Sequence, residues 1–343
     1  MYGKWIQRWE RRLHDTSKSG SPARVCRPFE WGAEWVGGRA GEKAPVLDSA
    51  ESERLFGYER PQDFHLDGAV VEGTGGQVLT FTSPLPSPYP ENNTVFARWF
   101  PAKTQNGKSA GPAVIVLPQW NSDQNGHMGL CRLLNAFGIS ALRMSMPYHD
   151  RRMPAELTRA DYAVSANVGR TVHANRQAVI DSRCCVDWLA SRGFERIGIL
   201  GTSLGSCIAF ITAAHEPRIR AQACNHVSSR FADVVWRGLS TTHISETLVG
   251  NITLEELRRH WAVISPATYV DRFVGREVAT LIVWARYDMS FPPDLSKEFV
   301  AGYARRGLKY REMVLPCGHY TTGVTPFKWM DGVGMARFLA REL

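Results

Sequence analysis

Arg196-Ile197-Gly198-Ile199-Leu200-Gly201-Thr202-Ser203-Leu204-Gly205 is the stretch on which the reading of this chain turns. Its first five residues have the composition of a short buried strand, and Leu204, Ile208 and Ile211 then recur at helical spacing. A strand that passes sharply into a helix leaves no room for side chains two positions either side of the turning residue, so glycines flank the serine and its hydroxyl stands exposed. The helix behind it directs unsatisfied N–H groups and a partial positive charge toward any anion formed there. Ser203 is therefore the candidate nucleophile.

The pentapeptide gains its meaning from partners downstream. The apolar strand 279–284 is followed by Ala285-Arg286-Tyr287-Asp288-Met289-Ser290-Phe291-Pro292, which puts a carboxylate just past a strand's carboxyl end with a proline closing the loop. Met313-Val314-Leu315 likewise runs into Pro316-Cys317-Gly318-His319-Tyr320, a histidine on a glycine-containing loop before a last helix. Asp288 is the candidate acid and His319 the candidate base. Asp294, the rival carboxylate, follows a double proline and is expected to start the next helix instead. The order Ser, Asp, His is that of G-x-S-x-G hydrolases and differs from both well-known serine-protease orders.

On these motifs, GTSLG, ARYDMSFP and CGHY, the chain resembles the α/β-hydrolase superfamily, over roughly residues 76–343 as judged from the strand and helix pattern. Within it the likeness is to acetyl-xylan-esterase-like, dienelactone-hydrolase-like and prolyl-oligopeptidase-like enzymes. The stretch 113–152 also resembles the human α/β-hydrolase domain-containing proteins with a Pro-Tyr loop after the fourth strand. Many relatives carry His-Gly after the third strand, whereas this chain has Leu117-Pro118-Gln119-Trp120-Asn121.

The chain's 343 residues, 44% of them hydrophobic, suffice for one large α/β domain. The formal net charge of +8 raises the question of nucleic acid, but Lys and Arg are scattered, with no basic run, zinc-finger spacing or basic-aromatic interleaving. No nucleic-acid partner is expected. The seven cysteines are odd in number and mostly embedded in apolar segments, so they read as reduced core residues. There is no C-x-x-C, H-E-x-x-H or carboxylate-rich calcium loop, and no metal or organic cofactor is expected. Without a signal-peptide core or a membrane-span pattern, the expected location is cytoplasmic.

Residues 1–45 form an amino-terminal arm, and 46–343 the α/β-hydrolase domain. In the arm Trp5, Trp9 and Leu13 fall on one helical stripe among Lys4, Arg8, Arg11 and Arg12, and the Ser/Gly/Pro stretch 17–23 ends the helix. The favoured reading docks this helix on the protein's own body or on a twin subunit; contact with anionic lipid is the alternative. From Gly76 the pattern predicts an antiparallel hairpin at 78–81 and 95–100, buried strands at 113–117 and 139–144, a helix at 128–137 between them, and a long helix through Val172 and Leu189. Together these imply a mostly parallel central sheet with helices on both faces. The alternation lapses at 228–276, where a small helical insertion is read as a lid or as ordinary packing helices, with Thr253 and Glu256 as a capping box.

His319 would take the Ser203 proton while Asp288 orients the imidazole. The oxyanion would be held by the backbone N–H of Leu204 and by that of Gln119 or Trp120. Polar loops at strand carboxyl ends make Tyr148, His149, Arg151 and His226 candidates for substrate contact, with His127 open between helix cap and pocket wall. Arg151, Arg152 and Arg170 could receive an anionic group or form an ion-pair knot with Asp150 and Asp161, the latter favoured. The resemblance implies a serine hydrolase of a small-molecule carboxylic ester, with acetyl on a polar carrier as the first choice. A peptidase, a lipid-ester hydrolase, an acyltransferase and a non-catalytic binding protein of this fold stay open, as does a homo-oligomer.

Overall fold

The computed structural model describes residues 1–17, 24–68, 76–103 and 111–343. Nine strands in this part of the chain form one sheet: β1 His65–Leu66, β2 Gln77–Thr82, β3 Thr94–Phe100, β4 Ala113–Leu117, β5 Ser140–Met144, β6 Ile197–Thr202, β7 Ile219–Asn225, β8 Ala279–Ala285 and β9 Arg311–Leu315. Their order is β1-β2-β3-β5-β4-β6-β7-β8-β9. Pairs β1–β2, β2–β3 and β3–β5 are antiparallel, and every later pair is parallel.

Residue alternation assigns the two faces. In β4, Ile115 and Leu117 enter one apolar cluster with Val179 and Ile208, while Val114 and Val116 enter another with Leu134 and Leu339. The first face is covered by helices α3 (Val168–Ser191) and α4 (Leu204–His215), and the second by α2 (Met128–Ala136) and α8 (Phe327–Glu342). A strand buried on both faces has no polar side to show, which is why β4 reads as an unbroken apolar run. The parallel strands place their carboxyl ends, and the loops carrying Ser203, Asp288 and His319, along one edge of the sheet.

The amino-terminal helix α1 (Tyr2–Thr16) is docked on the body, but through a different stripe from the one expected. Ile6, Glu10 and His14 are buried, whereas Trp5 is 54% exposed and Trp9 only partly covered. The physical reason is polar: the Glu10 carboxylate fits a set of backbone donors described below. Residues 18–23 of the expected helix-ending stretch lie outside the described residues. Further on, Glu30 N–H donates to Ala166 O at 3.2 Å and Val168 N–H to Glu30 O at 2.9 Å, tying the arm to the start of α3.

The insertion divides into two parts. Helix α5 (Phe231–Arg237) turns Phe231, Val234 and Val235 toward the candidate site, together with Ser240 and Thr241 beyond it. Helix α6 (Leu254–His260) and the short turns after it instead bury Leu257, Trp261, Tyr269 and Phe273 in the main core as ordinary packing elements. Thr253 Oγ1 accepts from Glu256 N–H at 3.2 Å, but the Glu256 carboxylate reaches Lys43 rather than back to Thr253, so only half of the expected capping box forms. Asp294 lies in the first turn of helix α7 (Pro293–Arg305), and its carboxylate pairs with Arg237.

All seven cysteines are free; Cys26 is exposed and the other six are buried. The loop after β5 is held by buried ion pairs, with a pairing that differs from the expected one. Asp150 pairs with Arg143 at 2.7 Å, and Arg152 with Asp181 at 2.8 Å, both pairs fully enclosed. Asp161 lies beside Arg159 and Arg27, and Arg170 stacks over the Tyr162 ring. Arg152 also donates to Asn92 O and Ser145 O. Arg152→Ala would strand the Asp181 carboxylate in the core, so denaturant unfolding is expected to show a loss of about 3–5 kcal/mol. Arg151→Ala, on an exposed side chain over the Phe96 ring, is expected to change stability by less than about 0.5 kcal/mol.

Candidate active site

Ser203 occupies the turn between β6 and α4 with φ 57° and ψ −121°, a conformation that costs a non-glycine residue of order 1–3 kcal/mol and persists only where the surroundings impose it. The flanking glycines show what imposes it. A Cβ on Gly201 would lie 2.0 Å from Gly205 O, and one on Gly205 would lie 2.3 Å from Leu117 O. The chain therefore turns with its backbones in contact, and Ser203 N–H is anchored to Asn225 O at 2.8 Å. Leu204 opens α4, where its N–H has no carbonyl within the helix to bond.

From this turn Ser203 Oγ lies 3.0 Å from His319 Nε2, and His319 Nδ1 lies 2.8 Å from Asp288 Oδ2. The other oxygen, Asp288 Oδ1, accepts from the N–H groups of Ser290 and Phe291 at 2.8 and 2.7 Å. The Phe291 ring stacks on the His319 imidazole, 5.2 Å between centroids and 9° from parallel. Burial alone would raise the Asp288 pKa, but the His319 and His226 rings reverse this and hold the carboxyl well below its ordinary value. Burial likewise opposes a charged His319, yet the facing Asp288 carboxylate and its hydrogen bond prevail and raise the His319 pKa above 6.5.

That raised value gives a pH signature. If His319 acts as the base, it works only when deprotonated, so activity is expected to be present above the His319 pKa and lost as pH falls through it, with a midpoint above 6.5. Asp288→Asn removes the group that holds the pKa up, so the acid limb in a kcat/KM profile is expected to move to lower pH while the plateau falls. An acid limb unmoved by Asp288→Asn would contradict the assignment.

Two contacts of this constellation were not legible in the sequence, although His226 itself is among the candidates for substrate contact. His226, at φ 57° just past β7, directs Nδ1 to Asp288 Oδ2 at 2.8 Å, so two imidazoles share one carboxylate oxygen. Glu10 on α1 caps the loop bearing His319: its carboxylate accepts from Tyr320 N–H (3.0 Å), Thr321 N–H (2.7 Å) and Thr321 Oγ1 (2.7 Å). The only cue to Glu10 was its place in line with Ile6 and His14, one turn apart on α1. The atoms of His226, Asp288 and His319 lie within 4.8 Å of one another, close enough to hold a metal ion. Here the two Nδ1 atoms are already engaged with the carboxylate.

Ser203 and His319 open into a cavity of about 680 Å³ whose walls include Trp120, Leu133, Val164, Val235 and Met335. Gln119, Trp120 and Leu204, the expected oxyanion donors, all border it. The Trp120 indole is fixed by a 2.9 Å bond to Ala160 O and stacks on His243. His127 and His226 also line the cavity. His127 Nε2 bonds Thr202 Oγ1 at 2.9 Å, and burial, with Arg143 nearby, pushes its pKa down to about 3.

Tyr148, His149 and Arg151 are placed elsewhere. Tyr148 is enclosed between the rings of Tyr89 and Tyr162. His149 receives Asn121 N–H on Nε2 at 3.0 Å and directs Nδ1 to Pro147 O at 2.8 Å, so both ring nitrogens are spent on locking two loops together. The polarity of that loop, read as substrate contact, is used to hold the strand end in shape. None of the three borders the cavity.

No protein-family model matches this chain, and no curated protein matches it in sequence. Solved structures do. The acetyl xylan esterase from Paenibacillus sp. R4 superposes with a TM-score of 0.65 at 11% identity, covering 97% of this chain and 99% of that one. Acetyl xylan esterase 1 from Thermoanaerobacterium sp. JW/SL YS485 gives 0.59 at 15% identity, over 96% and 98% of the two chains. The Pyrococcus horikoshii acylaminoacyl peptidase gives 0.60 at 13% identity over 82% of this chain, which spans only 42% of the peptidase. A nine-stranded, mostly parallel sheet with helices on both faces, a strand-to-helix turn carrying Ser203, and these structural neighbours together assign the chain the α/β-hydrolase fold.

Proposed function

We propose that this chain is a serine hydrolase that cleaves a carboxylic ester through an acyl-Ser203 intermediate. The observation that carries this reading is the chain of contacts from Ser203 Oγ to His319 Nε2 (3.0 Å) and from His319 Nδ1 to Asp288 Oδ2 (2.8 Å), opening into the cavity. Ser203 Oγ attacks the ester carbonyl as its proton passes to His319 Nε2, and Asp288 stabilises the resulting imidazolium. The oxyanion is held by Leu204 N–H and by a backbone N–H of Gln119 or Trp120. Collapse of the tetrahedral species expels the alcohol, which takes the proton back from His319. A water then repeats the sequence on the acyl-enzyme, releasing the acid and restoring the serine.

A small acyl group on a polar carrier is the first substrate class, as in the acetyl xylan esterases of the same fold. The size and largely apolar walls of the cavity favour a second, a longer acyl chain. A series of acetyl, butanoyl, hexanoyl and octanoyl esters of one chromogenic alcohol separates them. A steep fall beyond acetyl supports the first, a maximum at hexanoyl or octanoyl the second. Added alcohols in the same assay distinguish acyl transfer from hydrolysis. No turnover of any member by folded protein would contradict the hydrolase reading.

A further inference from the structure

Glu10 is an ionisable side chain that the proposed reaction does not use, yet it is fully buried against the loop that delivers the base. Its carboxylate takes the N–H of Tyr320, which belongs to the peptide group joining His319 to Tyr320, and both the N–H and the Oγ1 of Thr321. Thr321 Oγ1 in turn accepts the Gly318 N–H at 2.8 Å. The backbone on both sides of His319 is thereby tied to one side chain of α1. Gly318 shows how close the fit is, since a Cβ there would fall 2.3 Å from Glu10 Cδ and 2.5 Å from Glu10 Cγ. Gly318 does not have the positive φ that favours glycine, so the approach of Glu10 is what its missing side chain allows.

The rest of α1 holds the same loop and the one beside it. Tyr2 Oη donates to Pro316 O at 2.6 Å, and Ile6 is buried in the apolar cluster that contains Leu315 and Cys317. The ring of Tyr287, next to Asp288 in the chain, packs against Gly3 and lies edge-on to Tyr2. A catalytic group must be held within about 0.5 Å of its working position, and a loop between strand and helix needs outside contacts to achieve this. Glu10 supplies such contacts at His319. Its donors are neutral groups, so they hold the carboxylate without cancelling its charge. Burial disfavours a protonated His319, while Asp288 and, after it, Glu10 favour one. His226, Tyr320, Cys317, His14 and Asp331 are the other ionisable groups around this corner.

We infer that Glu10 is a positioning residue for His319: brought in by the amino-terminal helix, its carboxylate aims the imidazole at Ser203 and adds a second negative charge near it. The catalytic unit then reaches into the arm, beyond residues 46–343. The inference rests on the hydrolase reading for the role of His319 as base; the hold of Glu10 on the imidazole does not depend on turnover.

The test compares full-length wild type with Glu10→Gln and Thr321→Val, each assayed below its unfolding transition. NMR titration of the His319 imidazole reads its basicity without any substrate. Glu10→Gln removes the charge and keeps the shape, so the His319 midpoint is expected below that of wild type, because imidazolium loses a neighbouring anion. On an ester that wild type cleaves, kcat is expected to fall about 10–100-fold with KM little changed, since Glu10 does not border the cavity. Thr321→Val cuts the hydroxyl link and leaves the carboxylate, so kcat is expected to fall while the His319 midpoint stays near that of wild type. A role in stability alone would lower the melting temperature and move neither midpoint nor kcat. An unmoved midpoint in folded Glu10→Gln overturns the inference, as does a wild-type kcat. Should Glu10→Gln not fold, Thr321→Val decides: a lower kcat with KM held supports the inference, and a wild-type kcat overturns it. If wild type neither cleaves esters nor takes a fluorophosphonate, the hydrolase reading has failed, and the NMR midpoint alone judges the hold of Glu10 on His319.

Discussion

Ser203→Ala is expected to lower kcat on any ester the wild-type protein cleaves by about 10⁴–10⁶-fold, leaving only the catalysis that binding and the oxyanion donors supply. The change removes one oxygen from a side chain whose contact is with His319 Nε2, and alanine fits where serine did, so the melting temperature should move little. His319→Ala should cost a comparable factor, and the double variant little more than either single one, because the two groups act as a unit. Additive losses in the double variant would mean that Ser203 and His319 work independently, contrary to the 3.0 Å contact between them.

Gly205→Ala is expected to be strongly destabilising. Its Cβ would fall 2.3 Å from Leu117 O and 2.5 Å from Pro118 O, distances that no real Cβ adopts. Both obstacles are backbone at the end of a central strand, so nothing flexible can move aside; β4 and α4 must separate. Overpacking of this kind costs typically 1–3 kcal/mol and more where the backbone is the obstacle, so a loss of about 3 kcal/mol or more in denaturant unfolding is expected. Activity should fall with it, because the displaced segment leads directly into Gln119 and Trp120. An unchanged unfolding midpoint would show that the turn is looser than described.

The positions of Ser203, Asp288 and His319 were legible because each follows an apolar strand and strand ends converge on one edge of a parallel sheet. The sheet itself was legible for the same reason: β4 reads as a continuous apolar run, β5 as a mostly apolar one interrupted by Ser140 and Arg143, and β2 and β3 as alternating ones. What escaped depends on side chains that meet from distant parts of the chain. Nothing in the sequence near His226 tells that it shares the Asp288 carboxylate across 62 residues, nor that Asp331 on the last helix meets Asn225. Helix α1 shows the limit clearly. The tryptophan stripe looked like the packing face by hydrophobicity, yet a carboxylate matched to three donors on the His319 loop set the rotation of the helix instead. In the loop after β5, polar character was read as an invitation to ligand, while His149 and Arg152 spend it on the protein's own backbone.

The exposed side of α1 carries Tyr2 and Trp5 beside Lys4 and Arg8, so the lipid alternative retains a surface even with the helix docked. Among the described residues no helix is long and apolar enough to cross a membrane.

The reaction proposed for this site requires Ser203 to be a serine activated by His319. Intact mass of the purified protein after treatment with a fluorophosphonate, beside the Ser203→Ala variant, tests it most directly. One adduct per wild-type chain and none on Ser203→Ala is the result the structure leads us to expect. An unlabelled wild-type protein with a normal unfolding transition, or an adduct that persists on Ser203→Ala, would contradict it.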